Sequence, residues 1–275
     1  MCTDGRRCEN CPSQRLAAGS GLIAAALPAL GTVVAVTAND AALLSHTGQY
    51  GPPVHPGGAL VCGDDQVHLR MNPDVVGYLA PRALSLVGTY GSHRAWLTPM
   101  VDHLVLEGLS LAPAGEPVAF SPTDWTTADW DDTDQLDHLD SLTPCRYEVL
   151  PFTGARRIDP RVLPYLLAHL VEDGVAFTIA VPGGGCVQLH RGRAAMAEDH
   201  GSHFAVIFGA ARYALDPLHV SECWATRAHG AAGPTSALEV YDHGRRCVTV
   251  LTLTGTVFGP SHDAWEAVIG ALPGA

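Results

Sequence analysis

Short apolar runs, separated by turns rich in glycine and proline, recur along most of this chain and constrain its fold more than any other feature. TVVAVT, AFTIAV and CVTVLTLT are examples, and all three contain the β-branched residues that favour strands. Residues 160–173 differ, because apolar residues recur there at helical spacing behind a candidate N-cap, Asp159. Strands, a helical connector and further strands favour an α+β protein with two antiparallel sheets over an alternating βαβ fold.

Two segments of equal length resemble one another and indicate related halves. ALSLVGTYGSHRAWLT (residues 83–98) and ALEVYDHGRRCVTVLT (residues 237–252) both contain an apolar strand, a glycine-containing turn, a basic residue and a second strand ending in Leu-Thr. We therefore divide the chain into a cysteine-containing N-terminal tail (1–15), a first repeat (16–111), an acidic connector with a short helix (112–159) and a second repeat (160–275).

The charge balance and the length of the apolar runs exclude two classes of function. The formal net charge is −12, whereas binding to phosphate backbones needs a basic face, so we expect no nucleic-acid partner. None of the apolar runs reaches the roughly 20 residues of a transmembrane helix, so we expect no membrane span.

The distribution of cysteine favours a cytoplasmic location. Most cysteines are scattered in apolar runs, which is typical of buried thiols in a reducing compartment. Arg6 and Arg7 precede an apolar stretch, Leu22–Val36, in imitation of a secretory signal. Asp4 and Glu9 in the would-be positive region weigh against that alternative.

Three cysteines near the N-terminus are spaced like metal ligands. Cys2, Cys8 and Cys11 supply three thiolates, and the last two form a CxxC pair that suits Zn²⁺ or an iron–sulfur cluster. The fourth ligand would have to come from elsewhere in the chain. The alternative is an exposed tail without a metal.

The acidic connector contains two further candidate ligands. Carboxylates crowd the Asp124–Asp140 segment together with His138, but they lack the regular spacing of a calcium-binding loop. One interpretation is a solvated acidic linker. The other is that Asp134 or His138 faces a cofactor from a short helix.

The first half carries a series of motifs that resembles a known family. VAVTANDAALLSHTGQY (residues 34–50) is similar to the segment "mavTRNe-aVHEktGkY" of the haemin-degrading and haem-trafficking family (HemS/ChuX-like). GALVCGDDQVHLRM follows where that family has a glycine turn and "idLR". RALSLVGTYGSHRAWLT then resembles the family's "rSLqFFD…GavHKvyLT".

The second half continues the resemblance in the same order. GGGCVQLHRGRA is similar to "NrGCIQIHtGpv", and WATRAHGAAGPTSALEVYDHGR runs parallel to "WvVRKPT-dG-VTSLElfd-dG". The resemblance covers about residues 30–110 and 124–272. It implies two stacked structural repeats, each a large antiparallel β-sheet with flanking helices. It also implies haem in a cleft, an axial histidine from the connector, and basic residues that hold the propionates.

The chain departs from the family at the implied ligand positions. Asp134 occupies the axial histidine position, and a carboxylate is a poor haem ligand compared with imidazole. His138 lies one helical turn later and shares a helix face with Asp134. In the first repeat the family histidine falls on Leu44, with His46 two residues further and on the same strand face.

The resemblance also predicts which cations meet the propionates. Two family cations are lost, because Ala228 and Thr254 stand at their positions. The cations that remain are Arg70, Arg94 and Arg227, and His93-Arg94 matches the family's "HK" pair. The candidate cofactor residues are therefore His138, Asp134, His46, Arg70, His93, Arg94 and Arg227.

The sequence thus predicts a haem-binding protein in haem trafficking or haem-iron utilisation. Its ligand would be haem, and its further partner would be a haem-uptake system or an electron donor. Oxidative haem degradation is left open, because the sequence identifies neither an oxygen site nor an electron donor. Two alternatives are a metal-binding or regulatory module with Zn²⁺ or an iron–sulfur cluster at the tail, and an enzyme that uses the cleft for another substrate.

Overall fold

A computed structural model describes residues 13–54, 60–62, 67–88, 90–115, 147, 154–230, 233–253 and 260–275. Strands dominate these residues, and the four α-helices among them are short. The helices are α1 Ser20–Ala26, α2 His103–Leu111, α3 Leu163–Glu172 and α4 Pro260–Ala271. Short 3-10 turns occupy Leu27–Leu30, Pro160–Val162 and Pro217–His219.

Eighteen strands are present in these described ranges. The first nine are β1 Gln14–Arg15, β2 Val33–Ala38, β3 Ala42–Gly48, β4 Pro53–Val54, β5 Leu60–Cys62, β6 His68–Met71, β7 Val76–Ala80, β8 Ala83–Val87 and β9 Ser92–Leu97. The second nine are β10 Arg156–Ile158, β11 Ala176–Gly183, β12 Cys186–Arg193, β13 Met196–Asp199, β14 Phe204–Phe208, β15 Ala211–Leu215, β16 Val220–Gly230, β17 Gly233–Asp242 and β18 Cys247–Thr252.

The strands form two nine-stranded sheets with matching topology. One sheet has the order β1-β7-β8-β9-β2-β3-β15-β14-β13, and the other has the order β10-β16-β17-β18-β11-β12-β6-β5-β4. The first six strands of the second sheet are each numbered nine higher than their counterparts, and the last three are each nine lower. The pairings of known register are antiparallel. The α+β prediction with two large antiparallel sheets is confirmed, and the topology shows the internal repeat that the two similar segments indicated.

The chain forms two compact units, each with its own apolar core. The first unit combines the described residues of 1–39, 45–121 and 182–188, and the second combines those of 40–44, 122–181 and 189–275. In the first unit Ile23, Leu27 and Leu84 are among the fully buried side chains. In the second unit Phe177 and Trp265 lie in the core.

Local sequence signals explain several element boundaries. The Asp159 side chain accepts a hydrogen bond from the Arg161 N–H (3.0 Å), so the predicted N-cap opens the 3-10 turn that leads into α3. The glycine-rich run after Val181 forms the turn between β11 and β12. Gly184 and Gly185 both have positive φ there, a conformation that favours glycine.

Some predictions fall on residues whose structure is not described. These are residues 1–12 of the N-terminal tail, the Asp124–Asp140 segment and the short helix predicted in the connector. The described helices include none that is long and apolar enough to cross a membrane.

The turn between β8 and β9 generates a prediction about stability. Gly91 has φ +82°, and a Cβ placed there would lie 2.3 Å from the Ala38 carbonyl oxygen. Gly31 has a similar φ of +66°, but a Cβ there would meet no atom within 4 Å. We expect Gly31→Ala to lower the free energy of unfolding by about 1–3 kcal/mol, the cost of placing a side chain on a backbone conformation (φ +66°, ψ −146°) that strongly favours glycine.

Gly91→Ala should cost more than Gly31→Ala, because backbone overlap adds to the conformational term. Urea-induced unfolding followed by circular dichroism measures both variants against the wild type. Equal losses for the two variants would contradict the close approach at Gly91.

Candidate functional site

The predicted site residues fall into two groups. Asp134, His138 and the three N-terminal cysteines (Cys2, Cys8, Cys11) lie outside the described residues, so their roles stay predictions. His46, Arg70, His93, Arg94 and Arg227 lie on described strands. Within the described ranges, no group of three or more His, Cys, Asp or Glu side chains is arranged to hold a metal ion.

His93 lies in a buried hydrogen-bonded chain in the first unit. The Thr37 hydroxyl donates to the Gln188 Oε1 (2.9 Å), so its oxygen accepts from the His93 Nδ1–H at 2.7 Å. The other ring nitrogen, Nε2, therefore accepts from the Tyr50 hydroxyl at 2.6 Å. Both ring nitrogens of His93 are engaged, and its one basic lone pair, on Nε2, is not open to a ligand in this arrangement.

Burial keeps the His93 imidazole neutral. The ring is almost completely buried, and the desolvation lowers its pKa from 6.5 to about 3. The neutral tautomer is what the hydrogen bonds to Thr37 and Tyr50 require, because the Nε2 lone pair must accept. His93 thus stabilises the first unit as a neutral polar residue.

Arg94 lies on the opposite face of the sheet from His93, because successive residues of a strand alternate in direction. Its Nε donates to the Ser85 hydroxyl on β8 (3.1 Å). Its guanidinium lies over the ring of Trp96, 5.1 Å from the ring centroid. The predicted His93-Arg94 pair is therefore divided between two faces and cannot contact one ligand from one side.

His46 occupies a buried position on β3. It lies on the same strand face as Leu44, as the spacing of two residues predicted. Burial lowers the pKa of His46, so the imidazole is neutral at pH 7 and keeps a nitrogen lone pair.

Arg70 lies on β6 and shares a strand face with His68. Leu69 and Met71 fill the core on the other face. The guanidinium Nε of Arg70 is buried although the residue as a whole is only partly so. Arg227 differs, because it is exposed on β16 opposite Ser236.

The second unit contains an aromatic and acidic cluster that the sequence analysis did not identify. The Tyr147 hydroxyl donates to the Glu222 carboxylate (2.8 Å), and the Trp224 indole N–H donates to the same oxygen (3.0 Å). The Tyr147 ring packs edge-on against Tyr241, with centroids 5.3 Å apart, and lies beneath the Arg245 guanidinium. Burial and the hydrogen bond to Glu222 raise the pKa of Tyr147.

Glu239 brings a carboxylate into the interior beside this cluster. It is fully buried and accepts from the Tyr241 hydroxyl (2.5 Å) and from the Thr226 hydroxyl (3.0 Å). Burial, with the charge of Glu239 as a second cause, raises the pKa of the Cys223 thiol, so this cysteine is unreactive. A single glutamate inside the apolar run ALEVY was the sequence signal for this site, since buried carboxylates are rare unless they are paired.

The buried His93 generates a prediction about pH. The folded state leaves this imidazole neutral down to about pH 3, whereas the unfolded chain protonates it near pH 6.5. Protons therefore favour the unfolded state between these values, and His93 makes the free energy of unfolding fall by about 1.4 kcal/mol per pH unit as the pH drops.

His93→Gln removes this titration and should give a shallower pH dependence below pH 6.5. Chemical unfolding at pH 7.0, 6.0 and 5.0 measures the slope for both proteins. The variant is expected to be less stable at pH 7, because the Tyr50 and Thr37 partners lose their geometry. Parallel slopes for the two proteins would contradict a neutral His93.

Comparisons with known proteins agree with this architecture. Residues 147–272 match the family model described as the haemin-degrading HemS.ChuX domain, slightly less than half of the chain. A comparison with curated protein sequences finds no match.

Solved structures match over nearly the whole chain. One is apo-PhuS, a haem-binding protein from Pseudomonas aeruginosa, with a TM-score of 0.76 and 18% identity over 96% of this chain and 87% of that chain. Another is ChuS, an E. coli haem oxygenase, with a TM-score of 0.73 and 17% identity over 94% of this chain and 88% of that chain. Identities at this level show a shared fold. The comparisons therefore show a shared fold over nearly the whole chain and a HemS.ChuX domain match at residues 147–272.

Proposed function

We propose that this protein binds haem and serves haem trafficking or haem-iron utilisation. The observation that carries the proposal is the match of residues 147–272 to the haemin-degrading HemS.ChuX domain. The shared fold supports it, because the matched structures include PhuS, described as a haem-binding protein, and ChuS, described as a haem oxygenase.

The first unit has side chains of the right chemistry for haem. Haem iron takes imidazole nitrogen as an axial ligand, and haem propionates are held by guanidinium groups. His46 supplies a neutral imidazole, because its pKa is lowered by burial. Arg70 supplies a partly buried guanidinium on the strand face that points away from the apolar core.

One sheet face of the second unit is less suited to propionates. Glu222 and Glu239 put two carboxylates beside Trp224 and Tyr241 on one face of the sheet. Like charges repel, so this face disfavours propionates, whereas its aromatic rings favour flat apolar surface. We therefore assign the propionates to Arg70 of the first unit, and a propionate contact by the exposed Arg227 of the second unit stays a prediction.

The axial ligand is proposed to be a histidine of this chain. His138 is the first candidate, because it lies one helical turn beyond the Asp134 position in the predicted connector helix. His46 is the second candidate and the only one of the two on a described strand. When bound, the haem iron supplies the redox chemistry, and the protein's residues hold and orient the ring and exclude water from it.

A haemin titration followed by Soret absorbance tests this proposal. Wild type should give a saturable, shifted Soret band at a defined stoichiometry. The variant that removes the axial ligand, His138→Ala or His46→Ala, should shift or weaken that band, because a water or no ligand takes its place. Arg70→Gln should leave the band position unchanged and weaken binding by about tenfold, the effect of one charge-assisted contact.

His219→Ala is the matched control for the histidine variants. His219 is exposed and contacts Asp216 at 3.0 Å, away from the candidate residues on β3 and β6 in the chain. This variant should titrate like wild type. If wild type gives only the broad spectrum of free haemin, the haem-binding proposal fails.

Carriage and degradation are distinguished by adding an electron donor to the loaded protein. Carriage predicts that the Soret band persists in ascorbate and air. Loss of the band with the appearance of open-chain tetrapyrrole absorbance would place the function in haem degradation instead.

A further inference from the structure

The pairing registers of the first unit align two arginines on one face of a sheet. Arg15 on β1 lies opposite Tyr78 on β7, and Tyr78 lies opposite Ser85 on β8. Ser85 in turn lies opposite Arg94 on β9, and Arg94 lies opposite Val36 on β2. Directly paired residues share a face, so these five side chains form one cross-strand row, here called the Arg15–Arg94 row.

The neighbouring positions on this face are small or apolar; Ala83 is buried, whereas the β9 and β2 positions beside it are open. Ala80 pairs with Ala83, and Trp96 pairs with both Ala83 and Val34. Trp96 is 43% exposed and Val34 is 38% exposed. The opposite face of the same strands packs in the core of the first unit. The row is therefore bordered by a flat surface with one large aromatic ring.

Arg94 is held in place but keeps its terminal nitrogens available. Its Nε donates to Ser85, and its guanidinium lies over the Trp96 ring. Within the part of the chain that the structure describes, neither Arg15 nor Arg94 pairs with a carboxylate. Two such arginines on one face of a chain with a net charge of −12 make this face locally cationic.

The internal repeat supplies a comparison within the same molecule. The strands numbered nine higher carry an equivalent row in the second unit, made of Arg157, Trp224, Glu239, Val250 and Ala180. An arginine and an aromatic residue occupy the same first two places in both rows. At the third and fourth places the second unit has a carboxylate and a valine, whereas the first unit has Ser85 and Arg94. The first row thus carries two positive charges, and the second row carries one charge of each sign.

We propose that the Arg15–Arg94 face binds a flat ring ligand that carries carboxylates. The ring would lie on Ala80 and Trp96, across the strand that carries the buried Ala83, and the carboxylates would be held by Arg94 and Arg15. Planar guanidinium groups match carboxylates in a bidentate manner, and indole stacks on flat rings. Arg15 and Arg94 are three strands apart, which at about 4.8 Å per strand corresponds to a ligand roughly 10–15 Å wide.

This face goes beyond the proposed haem site, because it needs no metal ligand and uses no histidine. It is a second ligand surface, built by the first unit alone. A porphyrin without iron is therefore a suitable probe. Its ring and carboxylates match the face, and without iron it needs no axial ligand.

The experiment is a fluorescence titration of the full-length protein with metal-free protoporphyrin IX. Wild type should bind it saturably. Arg94→Gln and Arg15→Gln should each weaken binding by about tenfold, and the double variant should weaken it further. Arg94→Lys should restore only part of the affinity, because an ammonium group lacks the bidentate geometry. Trp96→Ala should also weaken binding through loss of stacking.

Arg193→Gln is the matched control, because Arg193 is also exposed on a strand but lies outside the row. It should bind protoporphyrin like wild type. Binding that is unchanged in the Arg15 and Arg94 variants would overturn the inference. Absence of porphyrin binding by the wild type would also overturn it. If the Arg15→Gln and Arg94→Gln variants then unfold more easily than the wild type, the two arginines stabilise the fold and do not bind a ligand.

Failure of this inference and failure of the proposed function give different results. Porphyrin binding that depends on the row, without any Soret shift for haemin, would keep this face and reject the iron site. A histidine-dependent Soret shift, with porphyrin binding indifferent to the row, would do the reverse.

Discussion

Antiparallel strand pairing decides which side chains of this chain meet. Each sheet alternates its residues between two faces, so a shift of one position transfers a side chain to the other face. His93 lies in a buried polar chain with Tyr50 and Thr37, whereas its neighbour Arg94 lies on the other face with Ser85 and Trp96. The same rule keeps His46 beside Leu44.

The two sheets have equivalent strand orders but carry different charges. Both sheets share one strand order, and both place an arginine and an aromatic residue at the start of the same cross-strand row. Glu239 in one row and Arg94 in the other change the electrostatics without changing the backbone. Burial of Glu239 is supported by two hydroxyl donors, Tyr241 and Thr226, as a buried carboxylate requires. The two rows thus differ in their side chains on sheets of the same strand order.

Much of the fold was accessible from the sequence, because strands and helices leave periodic signals. The hairpin of β8 and β9 and the helix after Asp159 were predicted within a few residues. The strand face shared by Leu44 and His46 was also predicted, and the alternating burial of ALLSHTG in β3 agrees with it. The strand order could not be predicted, because long-range pairing depends on which edges meet and not on local periodicity.

The candidate site was less accessible, for a physical reason. The resemblance to the family's "HK" motif identified His93 and Arg94 as a pair, but the strand pairing of β9 shows that they occupy opposite faces. Tyr50 and Thr37 lay inside the motif that resembles the family, yet their roles as hydrogen-bond partners of His93 depend on contacts across 43 and 56 residues. Gln188 joins them from a still more distant strand, β12.

The central claim is that a histidine of this chain binds haem iron. Electron paramagnetic resonance of the ferric haemin complex, with ¹⁵N-labelled histidine, tests it most directly. The account predicts hyperfine coupling from a histidine nitrogen at a defined haem stoichiometry. A signal without histidine coupling, or one typical of thiolate ligation, would contradict it.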